Sequence, residues 1–214
     1  MTAIVDYGVG NLFSLESSFN AIGEAVRVTP EASEILAAER VILPGVGAFG
    51  DASKKLRESG LDQAVRQAAE SGKPVMGICL GMQMLFNKSY EYGEHPGLGL
   101  LKGEVRPIRE LLDEAGADPQ NKLKIPQIGW NAMRFVNHSA LFRHIEDGDH
   151  VYFVHSYAVV GCEESLLADT EYGTYLTACV GKDNVFGCQF HPEKSGTVGL
   201  KILRAFCEMG RTEG

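Results

Sequence analysis

Lys73-Pro74-Val75-Met76-Gly77-Ile78-Cys79-Leu80-Gly81-Met82-Gln83 decides the fold of this 214-residue chain. Lys73–Cys79 is apolar after its first residue and reads as a strand buried on both faces. Leu80–Asn87 reads as the helix that follows. Between them, Gly77-Ile78-Cys79-Leu80-Gly81 has the form glycine-x-nucleophile-x-glycine, a tight strand-to-helix elbow carrying cysteine where hydrolases often carry serine. The glycines serve the turn, because a side chain at either flank would crowd it. A thiol at a helix start feels the positive end of the peptide dipoles, which favours the thiolate. The Leu80 N–H is then expected to point at a developing oxyanion. The plainer alternative is a buried cysteine in a glycine-rich turn.

The segments upstream repeat the same unit. Thr2–Asp6, Ala25–Val28 and Arg40–Leu43 read as strands, Leu12–Ile22 as a helix closed by Gly23, and two helical stretches flank Gly60. Apolar strands alternating with helices imply parallel strands joined by crossovers, hence an α/β layered fold. Downstream, Leu98–Ile108, Trp130–Val136, Val151–Tyr157, Thr174–Val180 and Val185–His191 are strand-like with short connections, so part of the sheet is expected to be antiparallel. Ser195–Met209 reads as a closing helix with Ser195 as its N-cap. The polar, turn-rich Glu110–Lys122 reads as a surface insertion. No repeat or linker divides the chain, so residues 1–214 are read as one domain.

Composition narrows the function. Lys and Arg number 20 against 28 Asp and Glu, a net charge of −8. No basic stripe is present, which argues against a nucleic-acid ligand. No window has the length of apolar sequence that spans a bilayer, and no leader pattern follows Met1, so a cytoplasmic protein is expected. The five cysteines are scattered and form no CxxC pair. Neither a disulfide framework nor a metal site is implied, and no cofactor.

A cysteine nucleophile needs a base, and the base needs a group to orient it. His191-Pro192-Glu193 ends the apolar run Val185–Phe190, and residues i and i+2 of an extended chain share a side. His155, in Tyr152-Phe153-Val154-His155-Ser156-Tyr157, also ends an apolar strand but has no carboxylate beside it; it is the rival base. Pro44-Gly45-Val46-Gly47 follows a strand and lies at the same sheet edge as Cys79, where ligands of such folds bind. It is either a second oxyanion donor through the Val46 amide or an ordinary turn. Gln83 lies one helical turn beyond Cys79, where it either holds a small polar substrate or faces solvent.

Read together, these segments resemble the class I, triad-type glutamine amidotransferases. More narrowly, they are similar to the glutaminase subunits of imidazole glycerol phosphate synthase, from histidine biosynthesis. The resemblance runs through Asp6-Tyr7-Gly8-Val9-Gly10-Asn11, Leu43–Phe49, Gly77–Gln83, Ile128-Gly129-Trp130-Asn131, Val154–Tyr157 and Gln189–Ser195. Gln127 stands where a histidine is frequent, and Glu110–Lys122 is longer than usual. The resemblance implies a flavodoxin-like, three-layer domain with a mixed, mostly parallel sheet. It implies that Cys79 attacks glutamine, His191 gives ammonia its proton and Glu193 holds the imidazole. Val46 and Leu80 would stabilise the oxyanion, and Gly47, Gln83, Ser156 and Tyr157 would hold the substrate. Ammonia would pass to a separate (β/α)8 cyclase subunit in a heterodimer, with Asn11 and Trp130 at the interface. The chain has no room for that barrel, so the cyclase is expected to be another polypeptide. Competing readings are the glutaminase of another synthase (anthranilate, guanylate or pyridoxal phosphate) and a non-enzymatic redox module built on the elbow cysteine.

Overall fold

Thr2–Val5 (β1), Arg40–Leu43 (β3) and Val75–Ile78 (β4) are buried at every residue. Such strands belong in the middle of a sheet covered on both faces. In the computed structural model, which describes residues 1–117 and 123–209, β3 lies between β1 and β4, and Val26–Thr29 (β2) lies outside β1, all parallel. Side chains alternate between faces. Ile4, Ile42 and Met76 meet Leu15, Phe19, Ile202 and Phe206 on one side. Val5, Leu43 and Val75 meet Ile35, Leu56 and Val65 on the other. The first group comes from Leu12–Ala21 (α1) and Gly196–Glu208 (α7). The second comes from Ala32–Ala37 (α2), Phe49–Glu58 (α3) and Leu61–Glu70 (α4). Two apolar layers thus sandwich one sheet.

The remaining strands are Lys88–Ser89 (β5), His95–Pro96 (β6), Glu104–Pro107 (β7), Gln127–Ala132 (β8), Arg134–Phe135 (β9), His150–His155 (β10), Tyr157–Val160 (β11), Leu166–Glu171 (β12), Tyr175–Lys182 (β13) and Val185–Cys188 (β14). The main sheet runs β2-β1-β3-β4-β14-β13-β12-β9. β14 joins β4 in parallel, and from β14 outward every pairing is antiparallel. The parallel and antiparallel halves meet beside the strand that carries Cys79. β8 and β10 form a separate antiparallel pair, and β11-β7-β5-β6 a small third sheet. This is the expected α/β layering with a mixed sheet. No described helix is long and apolar enough to cross a membrane.

Several local readings change. Leu98–Ile108 is strand only over Glu104–Pro107. Ile108–Glu114 (α6) follows at once, because Ile108 and Leu112 are buried one helical turn apart. The expected surface insertion therefore begins as a packed helix, and residues 118–122 lie outside the described residues. The helix after Cys79 ends at Met84 (Leu80–Met84, α5) rather than Asn87. Val151–Tyr157 splits at Ser156 into β10 and β11. The strand before His191 ends at Cys188, leaving Gln189–His191 outside the ladder. Ser195 does not cap α7 with its side chain. Its hydroxyl donates to His191 O at 2.7 Å and accepts from Tyr152 N at 3.0 Å.

Candidate active site

The elbow is tight because it is pressed from both sides. Cys79 sits at φ 54 and ψ −113, a left-handed conformation that costs a non-glycine residue energy and survives only where packing enforces it. A Cβ on Gly77 would lie 2.6 Å from the Gly81 carbonyl, and a Cβ on Gly81 would strike Leu43 O. The flanking glycines thus let β4, α5 and the end of β3 meet. Cys79 N donates to Cys188 O at 2.7 Å, which ties the elbow to β14. With five residues, α5 has a shorter dipole than the sequence reading assumed.

His191 and Glu193 meet, though not by strand alternation. His191 is the extended residue before a 3-10 turn, Pro192–Lys194, whose first position proline suits. The turn folds Glu193 back so that its Oε1 lies 2.8 Å from His191 Nδ1. Both side chains are almost fully buried. Burial, the largest influence on His191, pushes its pKa down. The hydrogen bonds and charges of Cys79 and Glu193 overcome that push and hold it up at about 9. His191 N donates to Tyr152 O at 3.0 Å, so β10 and the Ser195 hydroxyl fix the segment from behind. The second Glu193 oxygen is buried without a hydrogen-bond partner among the described residues.

His155 is built differently. Its Nδ1 lies 2.8 Å from Tyr157 O, and its Nε2 lies 2.9 Å from the Gln127 side-chain oxygen. Burial dominates and lowers its pKa to about 4; the Tyr157 hydrogen bond opposes the shift and the charge of His191 adds to it. No carboxylate among the described residues reaches it, so it is a neutral ring at physiological pH.

These groups border a cavity of about 400 Å³ lined by Val46, Gly47, Cys79, Leu80, Gln83, Ser156 and Tyr157, together with His155 and His191. Glu193 stands behind His191, outside the lining. Gln83 does not face solvent: its amide nitrogen donates to Tyr157 O at 3.1 Å and to Gln189 Oε1 at 3.0 Å. Gln189 Nε2 in turn lies 3.8 Å from Cys79 Sγ. Asn11, at the start of α1, and Trp130 do not reach the cavity. Trp130 is 52% exposed and rests edge-on against Tyr152. Glu91, Pro126, Val154 and Lys194 also line the cavity and were not anticipated. Lys194 adjoins the His-Pro-Glu segment, a signal that was available. Glu91 sits in a polar loop with no motif around it. Its carboxylate accepts from Phe49 N at 2.6 Å, and burial raises its pKa. A larger cavity of about 520 Å³ between α3 and β6 shares Glu91 and is lined by His95, but no cysteine borders it. Among the described residues, no cluster of three His, Cys, Asp or Glu suited to a metal ion occurs.

A thiol, an imidazole held by a carboxylate and a small cavity in front of them suit amide hydrolysis through a thioester. Comparison with known proteins agrees. The model for "Glutamine amidotransferase class-I" matches residues 3–209. The chain is 47% identical to "Imidazole glycerol phosphate synthase subunit HisH" of Wolinella succinogenes over 98% of its own length and 100% of that protein's. It is 47% identical to the protein of the same name from Bacillus subtilis, over 98% and 96%. Among solved structures, a "glutamine amidotransferase" superposes with a TM-score of 0.72 at 20% identity, covering 97% of each chain. A chain of "PurLQS from Thermotoga maritima" does so with a TM-score of 0.70 at 21% identity, covering 96% of each. At that identity the two structures speak for the fold alone.

Proposed function

The chain belongs to the class I glutamine amidotransferases and, within them, to the HisH subunits of imidazole glycerol phosphate synthase, and on that premise we propose how its residues divide the work. The reaction is glutamine hydrolysis to glutamate and ammonia. Cys79 Sγ attacks the side-chain amide carbon. The tetrahedral oxyanion takes hydrogen bonds from the Val46 and Leu80 amides. Collapse of the intermediate breaks the C–N bond, and His191 delivers the proton with which ammonia departs. A water, deprotonated by His191, then cleaves the thioester and releases glutamate. Glu193 keeps the imidazole oriented and stabilises its charge. The observation that carries this reading is the 2.8 Å His191–Glu193 pair, which together with Cys79 keeps a buried imidazole protonated near neutral pH.

Gly47, Gln83, Ser156 and Tyr157 form the substrate wall. Glu91 brings a carboxylate to the lining of this cavity and Lys194 an ammonium. They suit the α-ammonium and α-carboxylate of an amino acid. Ammonia passes to a (β/α)8 cyclase subunit, a separate chain in a heterodimer. The β8–β10 pair supports an interface beside the site, since it exposes 61% of Ile128 and 52% of Trp130. Asn11 opens α1, which packs against the turn bearing Glu193. Residues 1–214 act as one glutaminase domain in the cytoplasm.

The test is Cys79→Ala in the complex with the cyclase. Glutamine-dependent synthesis should vanish while ammonium-dependent synthesis continues, because the cyclase site lies in the other subunit. Substantial glutaminase activity in Cys79→Ala, or its loss in Cys188→Ala, would reassign the nucleophile.

A further inference from the structure

The oxyanion loop hangs between two anchors. At one end the Pro44 carbonyl accepts a 2.7 Å hydrogen bond from the Tyr7 hydroxyl. At the other, Phe49 N donates to Glu91. Between them, among the described residues, no hydrogen bond holds the Gly45, Val46 or Gly47 amides. Val46 is 41% exposed. A Cβ on Gly45 would come within 2.7 Å of Gly81 N and 2.9 Å of Leu80 Cβ. The loop is therefore laid directly on the elbow, and a small shift of Pro44 would be passed to the amide that follows.

Tyr7 is placed to hold this loop. It follows β1, is 6% exposed and packs in the apolar layer that contains Leu43, Leu80 and Met82. It does not line the cavity, so its hydroxyl touches no substrate. Burial, with a smaller contribution from Cys79, holds the phenol far above its usual ionisation range, so the group stays a donor.

We propose that Tyr7 is a positioning residue for glutamine hydrolysis: its hydroxyl fixes the Pro44 carbonyl and thereby aligns the Gly45–Val46 peptide over Cys79. Glycine at 45 lets that peptide turn its N–H or its C=O toward the site. The turn begins immediately after the pinned group. Tyr7 is the fixed side of that hinge. The inference rests on Val46 being an oxyanion donor.

Tyr7→Phe keeps the ring and removes the donor. In the complex with the cyclase, kcat for glutamine should fall by about 10- to 100-fold, the scale on which small misplacements act. KM should change by no more than about two-fold. Alkylation of Cys79 by iodoacetamide, which forms no oxyanion, should keep its rate. An unchanged kcat overturns the proposal, and so does an equal loss of alkylation and hydrolysis, which would mark a merely structural role. Val46→Pro, run in parallel, separates the two readings. If it abolishes activity while Tyr7→Phe does not, only the Tyr7 assignment falls. If it keeps full activity, the loop's oxyanion role falls as well. Hydrogen exchange on the unaltered complex covers a variant that does not fold. Amides 45–47 should respond to the cyclase and its ligand while 3–7 do not, and an equal response in both segments overturns the hinge.

Discussion

His191 and His155 border one cavity, and both are nearly free of solvent, at 2% and 6% exposure. One holds its proton up to about pH 9 and the other releases it near 4. Burial pushes both down, since a low-dielectric surround disfavours a charged ring. What separates them is the sign of the neighbours. His191 has a carboxylate at 2.8 Å and a thiol in front of it. His155 has a backbone carbonyl, an amide side chain and the positive charge of His191. A histidine in an active site is therefore identified as base or scaffold by what lies behind its ring, and equal burial says nothing.

The comparison is broken most directly by exchanging each ring for an amide. His191→Asn should lower kcat/KM for glutamine by about 10²–10⁴-fold, the usual worth of a positioned acid or base. His155→Asn should act mainly on KM, within about ten-fold. Steady-state assays of both variants with the cyclase would show it, and the reverse ranking would make His155 the base.

Glu193→Gln should lose less than His191→Asn and should reveal the source of the difference. The unaltered enzyme should lose activity as pH rises through about 9, where His191 gives up its proton. Without the Glu193 charge that limb should move to lower pH. A limb that stays in place would assign the raised pKa to Cys79 alone.

The two histidines should also differ in stability, and there their effects have opposite signs. The folded pKa of His191 lies above its ordinary 6.5. Its contribution is complete below pH 6.5 and is lost as pH rises through about 9. The folded pKa of His155 lies below 6.5. Below pH 6.5 the unfolded chain takes a proton that the folded one refuses, so stability falls toward pH 4. Each effect is on the order of 3 kcal/mol at full extent. Urea denaturation across pH should show the alkaline loss flattened in His191→Asn and the acid loss flattened in His155→Asn. Flattening of the same limb by both variants would erase the distinction.

The sequence displayed some of this well. β1, β3 and β4 are uninterrupted buried runs, so their place in the sheet could be read directly. The glycine-flanked elbow carried its own steric reason. Leu166–Glu171 went unread because Asp169 interrupts it. That carboxylate is buried only because Arg134 grips it with two hydrogen bonds from another strand. Ala32–Ala37 is too short to show a helical period. The His191–Glu193 pair was expected from strand alternation, yet Pro192 opens a 3-10 turn and the turn brings them together. Glu91 and Tyr7 stayed silent for another reason. Their roles come from residues far along the chain, Phe49 and Pro44, and no local pattern encodes a partner 42 or 37 positions away.

The strand that carries the nucleophile also sets a timetable for synthesis. β4 can pair with β3 as soon as both have left the ribosome, but its other neighbour, β14, comes from near the opposite end of the chain. Gln189, beside the thiol, is 110 positions later than Cys79, and His191 and Glu193 follow it. Contacts of such range close slowly and late. A nascent chain therefore bears Cys79 long before His191 can stand beside it, so the proposed thiol–imidazole pair forms only once the far part of the sheet has docked.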